Sequence, residues 1–247
     1  AREAGGYTSE HVGFILGPRI NAAGRTDSAA IALELLLTDD ADRARAIARQ
    51  LEGLNRERRK NEAEILKTSL AAAGEQMEGE LDALLVVGGE DYHLGVVGIV
   101  AARLAEKFHR PAIVLRIDPD LAKGSARSIP GFDIHEALCA CEQYLLGYGG
   151  HAAAAGVQVH PRNVDPLREA LNEHAREVFR ARDLSPEIEI DADIAHDELT
   201  PGLLRDMQRL QPFGQDNPAP VFRLRGVTSA YPPRIVGQDR LKLTLAT

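Results

Sequence analysis

Three consecutive segments in the middle of the chain set its fold class: Leu84-Leu85-Val86-Val87-Gly88-Gly89, then Val96 to Phe108, then Pro111 to Ile117. The first and the third are short apolar runs bounded by glycine or proline, as buried strands are. The middle segment repeats its apolar residues at the spacing of a helix. A strand, a helix and a second strand in this order predict a layered α/β domain.

Segments with the same two patterns continue as far as residue 182. They are a strand at Ala122 to Ile129, a helix at Ile134 to Leu146, a strand within Ala152 to Val159 and a helix at Asp165 to Phe179. Gly147-Tyr148-Gly149-Gly150 ends the first of these helices, because tandem glycines permit sharp changes of backbone direction. We therefore predict one α/β domain over residues 79–182, with Gly149-Gly150-His151 in a turn.

A long helix is predicted before this domain, over about residues 40–73. One apolar stripe runs along it, and its other positions are densely charged. At 1.5 Å per residue the helix is about 50 Å long. Such a length favours a strut between two domains, and a solvated surface helix is the alternative. We assign residues 39–78 to this connector and residues 1–38 to the tail of a preceding domain and a linker. The linker contains a Gly/Pro/Asn loop at residues 17–25.

The composition changes at Asp183-Leu184-Ser185-Pro186, where a second unit is predicted to begin. Ile188 and Ile190 alternate with acidic residues as in a half-buried strand. Further strand-like segments at Val221–Val227 and Leu241–Leu245 predict the first part of a small β-barrel over residues 183–247. The chain does not begin with Met, and it stops inside an alternating segment, so we expect a piece of a longer protein.

The formal charge of −8 means that any binding of phosphate must come from a local basic cleft. Cys139 and Cys141 lie two residues apart on a predicted helix, and this spacing disfavours a disulfide between them. A reducing, cytoplasmic setting is expected. The sequence has no run of about 18 apolar residues and no apolar leader, so neither a membrane span nor a targeting peptide is predicted.

Two motifs have the residue types that hold a phosphate. Ser125 and Arg127 point to the same side of a predicted strand, where a hydroxyl and a guanidinium can share one phosphate. The alternative is an edge strand with polar residues turned outward. Gly149-Gly150-His151 lets the backbone approach a ligand, with His151 as a donor. The alternative there is a turn that ends a helix, with a histidine satisfied in the core.

Three further motifs allow two interpretations each. Arg19, Asn21 and Arg25 could contact a nucleic-acid backbone or pair with carboxylates. His93, just before a helix, could assist an anion at the helix N-terminus, and we favour a capping role. Phe213, in the loop Pro212-Phe213-Gly214-Gln215-Asp216-Asn217-Pro218, could stack on a base, and an anchor in the core is the favoured alternative.

The residues of a two-metal nuclease are not recognisable in the sequence. Such a centre needs several Asp and His residues around two ions about 4 Å apart. The Asp-x-Asp runs are Asp118-Pro119-Asp120 and Asp191-Ala192-Asp193, and neither gathers enough partners. A Walker-type loop and a serine elbow are also missing. We predict no catalytic residue and no metal ligand in this chain.

Five motifs, in this order, resemble the RecJ family of the DHH phosphoesterase superfamily. They are Gly17-Pro18-Arg19-Ile20-Asn21-Ala22-Ala23-Gly24-Arg25, Tyr92-His93-Leu94-Gly95-Val96-Val97-Gly98-Ile99-Val100-Ala101, Gly124-Ser125-Ala126-Arg127-Ser128, Gly149-Gly150-His151 and the Pro212–Pro218 loop. The resemblance covers essentially the whole chain. The family often has Trp-His where this chain has Tyr92-His93, a change that keeps a flat ring.

The resemblance implies a single-strand-specific 5′→3′ DNA exonuclease that acts in DNA repair and recombination. It implies Mn²⁺ or Mg²⁺ in a catalytic domain outside this chain, then the connector helix, a DHH-associated α/β domain with a mixed sheet, and an incomplete OB-fold. It places Ser125 and Arg127 near the 5′ end of the DNA, Arg19 or Arg25 along the channel that holds the DNA, and His151 on the substrate side. Single-stranded DNA is the implied partner, with a single-strand-binding protein and a helicase as further candidates.

Two alternatives remain open at this point. One is a non-catalytic module that only holds single-stranded nucleic acid or a partner protein. The other is a relative that cleaves short oligonucleotides or cyclic dinucleotides. The barrel-like region after residue 186 argues against the second, because an additional single-strand platform suits long substrates.

Overall fold

The computed structural model describes residues 7–26, 28–78, 83–182, 184–214, 216–237 and 240–246. The chain divides into two compact units, one up to Pro186 and one from Glu187 onward. In the described ranges, no helix is long and apolar enough to cross a membrane.

The first unit opens with helices. A π-helical turn at His11–Leu16 leads into α1 (Gly17–Thr26), and α2 (Ala29–Leu37) follows. The loop predicted at residues 17–25 is therefore wrong. Pro18 lies just after the π-helical turn, so its missing N–H interrupts the hydrogen bonding inside a continuous helical segment. Ala22 and Ala23 are buried, so packing of these small residues offsets the weak helix propensity of the glycines.

The long connector helix is confirmed as α3 (Ala41–Glu78), which has 38 residues and a length of about 57 Å. Near its start, Ile47 and Leu51 pack in a small cluster with Ala23 and Ala32. Further along, Ile65 and Ala73 belong to the main core of the unit. The helix therefore joins two separate hydrophobic clusters.

A five-stranded sheet forms the centre of the first unit. Its elements in chain order are β1 (Leu85–Gly89), α4 (Leu94–Phe108), β2 (Ala112–Ile117), β3 (Ala122–Arg127), α5 (Ile134–Ala140), β4 (Leu145–His151), β5 (Ala154–Val159) and α6 (Val164–Ala181). The strand order is β1-β2-β3-β5-β4. Only β1 and β2 run parallel, so the sheet is mixed.

Two local predictions in this unit are wrong. The helix expected to reach Leu146 ends at Ala140, and Gly149-Gly150-His151 is the end of strand β4 rather than a turn. The strand reverses at Ala152 and Ala153 instead. Glycine has no side chain, so a glycine-rich strand shows no alternation of apolar and polar residues. The pairing of this segment with β5 could therefore not be predicted from the sequence pattern.

The second unit contains short paired strands. Its elements are β6 (Ala192–Ile194), α7 (Pro201–Gln208), β7 (Phe222–Leu224), β8 (Thr228–Ser229), β9 (Arg234–Val236), β10 (Arg240–Lys242) and β11 (Leu245–Ala246). They pair as β6 with β7, β8 with β11 and β9 with β10. The strand predicted around Ile188 and Ile190 begins only at Ala192. An ion pair from Arg223 to Asp193, with N–O distances of 2.5 and 2.9 Å, joins β7 to β6.

Candidate nucleic-acid interface

Strands β3, β5 and β4 share one polar, glycine-rich face. Ser125 pairs with Gly156, which pairs with Gly149 in the next strand. In the parallel row, Arg127 pairs with Ala154, which in turn pairs with His151. Directly paired residues place their side chains on the same face of a sheet. The face therefore has polar side chains on β3, small residues on β5, and Gly149 and His151 about 10 Å away on β4.

The glycines of this face are not all required by packing. A Cβ at Gly149 would meet nothing within 4 Å, and one at Gly156 would meet only the Gly149 carbonyl oxygen at 3.9 Å. Gly150 differs, because its Cβ would collide with the Ala154 carbonyl oxygen. Gly150 is thus needed by the fold, whereas at Gly149 and Gly156 the absence of a side chain leaves the exposed surface of the sheet flat. We call the surface of Ser125, Arg127, Ala154, Gly156, Gly149 and His151 the glycine face.

The Arg127 guanidinium lies against helix α4 at the edge of the glycine face. Nη1 of Arg127 donates to Oγ of Ser125 at 2.6 Å and to the Ala126 carbonyl at 2.7 Å. A Cβ at Gly98 would lie 2.8 Å from Nη2 of Arg127 and 3.2 Å from Oγ of Ser125. A glycine at position 98 therefore gives the guanidinium the room to lie against the helix.

Arg25 meets the same region from the end of α1. Its Nη1 donates to the carbonyl of Gly95 at 3.0 Å. A Cβ at Gly95 would collide with the carbonyl oxygen of Arg25, so the end of α1 sits directly on the first turn of α4. Burial, and after it the like charge of Arg25, lowers the pKa of the Arg127 guanidinium below its ordinary value. Two guanidinium groups that converge in this way favour a bound anion.

His93 begins helix α4. Its Nδ1 accepts a hydrogen bond from the backbone N–H of Gly95 at 3.0 Å, which is the favoured capping role. A ring that accepts at Nδ1 carries its proton on Nε2, so Nε2 is a donor. Its neighbour Tyr92 is buried, and the Tyr92 hydroxyl lies 2.9 Å from Oγ1 of Thr68 and 3.2 Å from Oγ of Ser69 on α3. A contact of His93 with nucleic acid stays a prediction.

The other predicted residues are placed less closely together. Arg19 forms an ion pair with Glu52 of α3 at 2.6 Å and donates to the Ile15 carbonyl, which matches the carboxylate-pairing interpretation. Asn21 is exposed on α1, one helical turn before Arg25. His151 is exposed, and its Nδ1 accepts from the N–H of Ala153 at 3.3 Å. Phe213, in the second unit, is half-buried.

A basic face in the second unit was missed. Arg234 pairs with Lys242 across the β9–β10 hairpin, and Val236 pairs with Arg240, so all three cations share one side. Tyr231 precedes the hairpin and is 66% exposed, as a base-stacking ring would be. The alternation of Arg240-Leu241-Lys242 was the available signal. It predicted a strand, but the cationic side of that strand was not interpreted.

The residues of the glycine face do not fit a divalent metal. Mg²⁺ and Mn²⁺ prefer carboxylate and other oxygen ligands, whereas this face offers one guanidinium group, a hydroxyl and one exposed imidazole, with the Arg25 guanidinium beside it. In the described part of the chain, no group of three or more His, Cys, Asp and Glu residues could hold a metal ion. Ser125, Arg127 and Arg25 together suit a phosphate group.

Comparison with known proteins identifies both units. The chain matches the DHHA1 domain over residues 81–177 and the RecJ OB domain over residues 190–247. It is 39% identical over 220 residues to the single-stranded-DNA-specific exonuclease RecJ of Bacillus subtilis, a match that covers 88% of this chain and 28% of that protein. It is 36% identical over 250 residues to the protein of the same name from Dickeya dadantii, covering 98% of this chain and 43% of that one.

The fold agrees with solved structures of a protein of the same name from another organism. The crystal structure of RecJ in complex with Mn²⁺ from Thermus thermophilus matches with a TM-score of 0.82 at 32% identity, over 96% of this chain and 35% of that chain. The Mg²⁺ complex from the same organism gives a TM-score of 0.81. The chain spans less than half the length of these relatives. It belongs to the RecJ family and contains that family's DHHA1 and OB domains.

Proposed function

We propose that this chain is the strand-holding part of a single-stranded-DNA exonuclease, and that a DNA phosphate binds beside Arg127. The observation that carries the proposal is the meeting of Arg127, Ser125 and Arg25 at the first turns of α4. The names of the curated relatives supply the substrate class. Hydrolysis of the phosphodiester bond belongs to the part of the protein outside this chain, where Mn²⁺ or Mg²⁺ would activate water.

The glycine face gives each residue a role in holding the strand. Among the described residues, Arg127 hydrogen-bonds through Nη1, which leaves Nη2 and Nε to donate to phosphate oxygens. Gly149 and Gly156 let the sugar–phosphate backbone lie close to the sheet, because nothing projects from them. His151 stands on the far strand of the face, β4, and donates to the DNA from the other side. Together these groups fix the strand so that hydrolysis occurs at one position along it.

The resemblance to RecJ also implies a biological setting for the strand-holding part. We infer digestion in the 5′→3′ direction, so the phosphate beside Arg127 is that of the 5′ end. We also infer a cytoplasmic role in DNA repair and recombination, with a single-strand-binding protein and a helicase as partners.

Single-turnover digestion of single-stranded DNA by the full-length enzyme tests the proposal. With Arg127→Ala, the affinity for 5′-phosphorylated DNA is expected to fall by about tenfold or more, since a hydrogen bond to a charged group contributes about 1.5–3 kcal/mol. Arg45→Ala is a matched control, because Arg45 is exposed at the start of α3 and pairs with Asp42. If Arg127→Ala digests and binds DNA as the control does, the phosphate site is not at Arg127.

A further inference from the structure

A basic groove lies between helices α3 and α4, away from the glycine face. Its volume is about 510 Å³, and four cationic residues line it: Arg58, Arg59 and Lys67 from α3, and Arg103 from α4. Glu62 is the one carboxylate in its lining, and Leu66 and Ile99 give it an apolar part. The groove therefore has an excess of positive charge in a chain whose formal charge is −8.

Both oxygens of the Glu62 carboxylate form ion pairs with arginines inside the groove. Its Oε2 accepts from Nη1 of Arg58 at 2.8 Å, and its Oε1 pairs with Nη2 of Arg103 at 2.6 Å. Glu62 is buried, so its charge holds the two guanidinium groups in place instead of repelling an anion from solvent. Arg59 and Lys67 are exposed at the rim and complete the positive lining.

Arg58 carries a hydrogen-bond donor that lacks an acceptor. Its side chain is 13% exposed, and its two terminal nitrogens bond to Glu62 and to Oδ1 of Asn55. Its Nε is buried and has no partner among the residues that the structure describes. Buried donors in native proteins are nearly always paired, and an unpaired one costs free energy. The Nε atom is closed off from solvent, so an anion in the groove would accept from it only after the Arg58 side chain shifts.

We propose that this groove binds a backbone phosphate of the same DNA strand, as a second contact beyond the phosphate at Arg127. The inference rests on the proposed function. Helix α4 connects the two sites, because Gly98 touches Arg127 and the next residue, Ile99, lines the groove. Arg103 lies only about 7.5 Å further along the helix axis than Gly98. The apolar part at Leu66 and Ile99 suits a sugar or a base better than a free inorganic anion.

The test compares two double variants of the 247-residue chain. Arg59→Gln with Lys67→Gln removes two exposed groove cations, and Arg56→Gln with Lys60→Gln removes two exposed cations of the same helix outside the groove. Fluorescence anisotropy measures binding of a 5′-phosphorylated strand of about 15 nucleotides over a salt series. Each phosphate contact contributes a slope of about −0.7 in log K against log salt for single strands. The groove variant is expected to have a slope shallower by about 0.7 to 1.4, and the control variant the original slope.

A 5′-phosphorylated mononucleotide separates this inference from the proposed function. Its single phosphate cannot occupy both sites at once, so the groove variant is expected to bind it as the unaltered chain does, whereas Arg127→Ala weakens both ligands. Equal slopes for the groove and control variants would overturn the groove proposal and leave the Arg127 site standing. The groove proposal would also be overturned if the groove variant lost binding of a poly-aspartate peptide but kept the strand, because the groove would then serve an acidic protein segment.

Discussion

Gly98 of helix α4 faces the guanidinium group of Arg127 so closely that a Cβ at position 98 would stand 2.8 Å from Nη2. The two residues come from elements that the sequence separates, and their contact fixes where the positive charge of β3 lies. Because Nη2 is the end of a flexible side chain, a methyl group at position 98 would displace it without disrupting the backbone.

Gly98→Ala is expected to weaken the binding of 5′-phosphorylated single-stranded DNA by about tenfold while the protein stays folded. Alanine in a helix is favoured over glycine by about 1 kcal/mol, which offsets the cost of moving Arg127. Anisotropy and urea unfolding measure the two effects. Gly53→Ala in α3 is the control, because a Cβ there meets nothing within 4 Å. That variant should gain stability and bind normally, and equal binding by both variants would contradict the role of Gly98.

Gly149→Ala and Gly150→Ala are expected to differ although they are neighbours. A methyl group at Gly149 points into open space, so this variant should keep its stability and bind the strand less tightly. At Gly150 the φ angle is 150° and the methyl group would collide with the Ala154 carbonyl oxygen. That variant should lose about 1–3 kcal/mol of unfolding free energy. Unchanged DNA binding by Gly149→Ala would remove the glycine face from the interface.

Tyr92→Phe is expected to lower the free energy of unfolding by about 1–2 kcal/mol. The change removes a hydroxyl that lies within hydrogen-bond distance of Thr68 and Ser69, and Ser69 is fully buried. Urea unfolding followed by circular dichroism measures it. Tyr231→Phe is the matched control, since that ring is 66% exposed. A Tyr92→Phe protein as stable as the control would show that the link between the connector and α4 contributes little.

The Asp193–Arg223 pair is expected to make the second unit sensitive to acid. The hydrogen bond from Arg223, followed by that from Arg225, lowers the pKa of Asp193 from 3.8 to about 2. A carboxyl group whose pKa is lower in the folded state than in the unfolded state stabilises the folded state at any pH above its unfolded pKa. This stabilisation is lost as the pH falls through the pKa of the folded state. The stabilisation of the second unit by this pair is therefore expected to be lost as the pH falls from about 4 to about 2. NMR titration of the Asp193 carboxyl checks it, and an ordinary midpoint near 3.8 would contradict the pairing; Asp193→Asn should abolish this part of the pH dependence.

The sequence predicted those helices and strands whose residues form a recognisable pattern of apolar and charged positions. Leu84 to Val87 and Pro111 to Ile117 were recognisable as strands because they are continuously apolar, and the charged connector was recognisable by its length. The helix at Gly17–Thr26 was not, because glycine, proline and asparagine are typical of loops, and the burial of Ala22 and Ala23 that stabilises the helix is a tertiary contact. The fold class is confirmed, including the mixed sheet.

The site was predictable in its parts and not in its assembly. Ser125 and Arg127 were paired correctly on one face, because residues two apart on a strand point the same way. The approach of Arg25 to Arg127 depends on how α1 packs on α4, which no local pattern contains. The roles of Gly95 and Gly98 were missed for the same reason, since only the neighbours of a glycine show why a side chain is excluded.

Tyr92 and His93 are adjacent in the chain, yet the first is bonded to α3 and the second to α4. Because a single peptide unit separates the two attachments, there is almost no slack between the helices at this point. A shift of the connector along its axis would therefore change the register of the first turn of α4, and with it the separation of Arg25 and Arg127. The axial position of the connector is thereby coupled to the spacing of the two charges, which makes anion affinity at Arg127 sensitive to strain in a helix that contributes no side chain to that site.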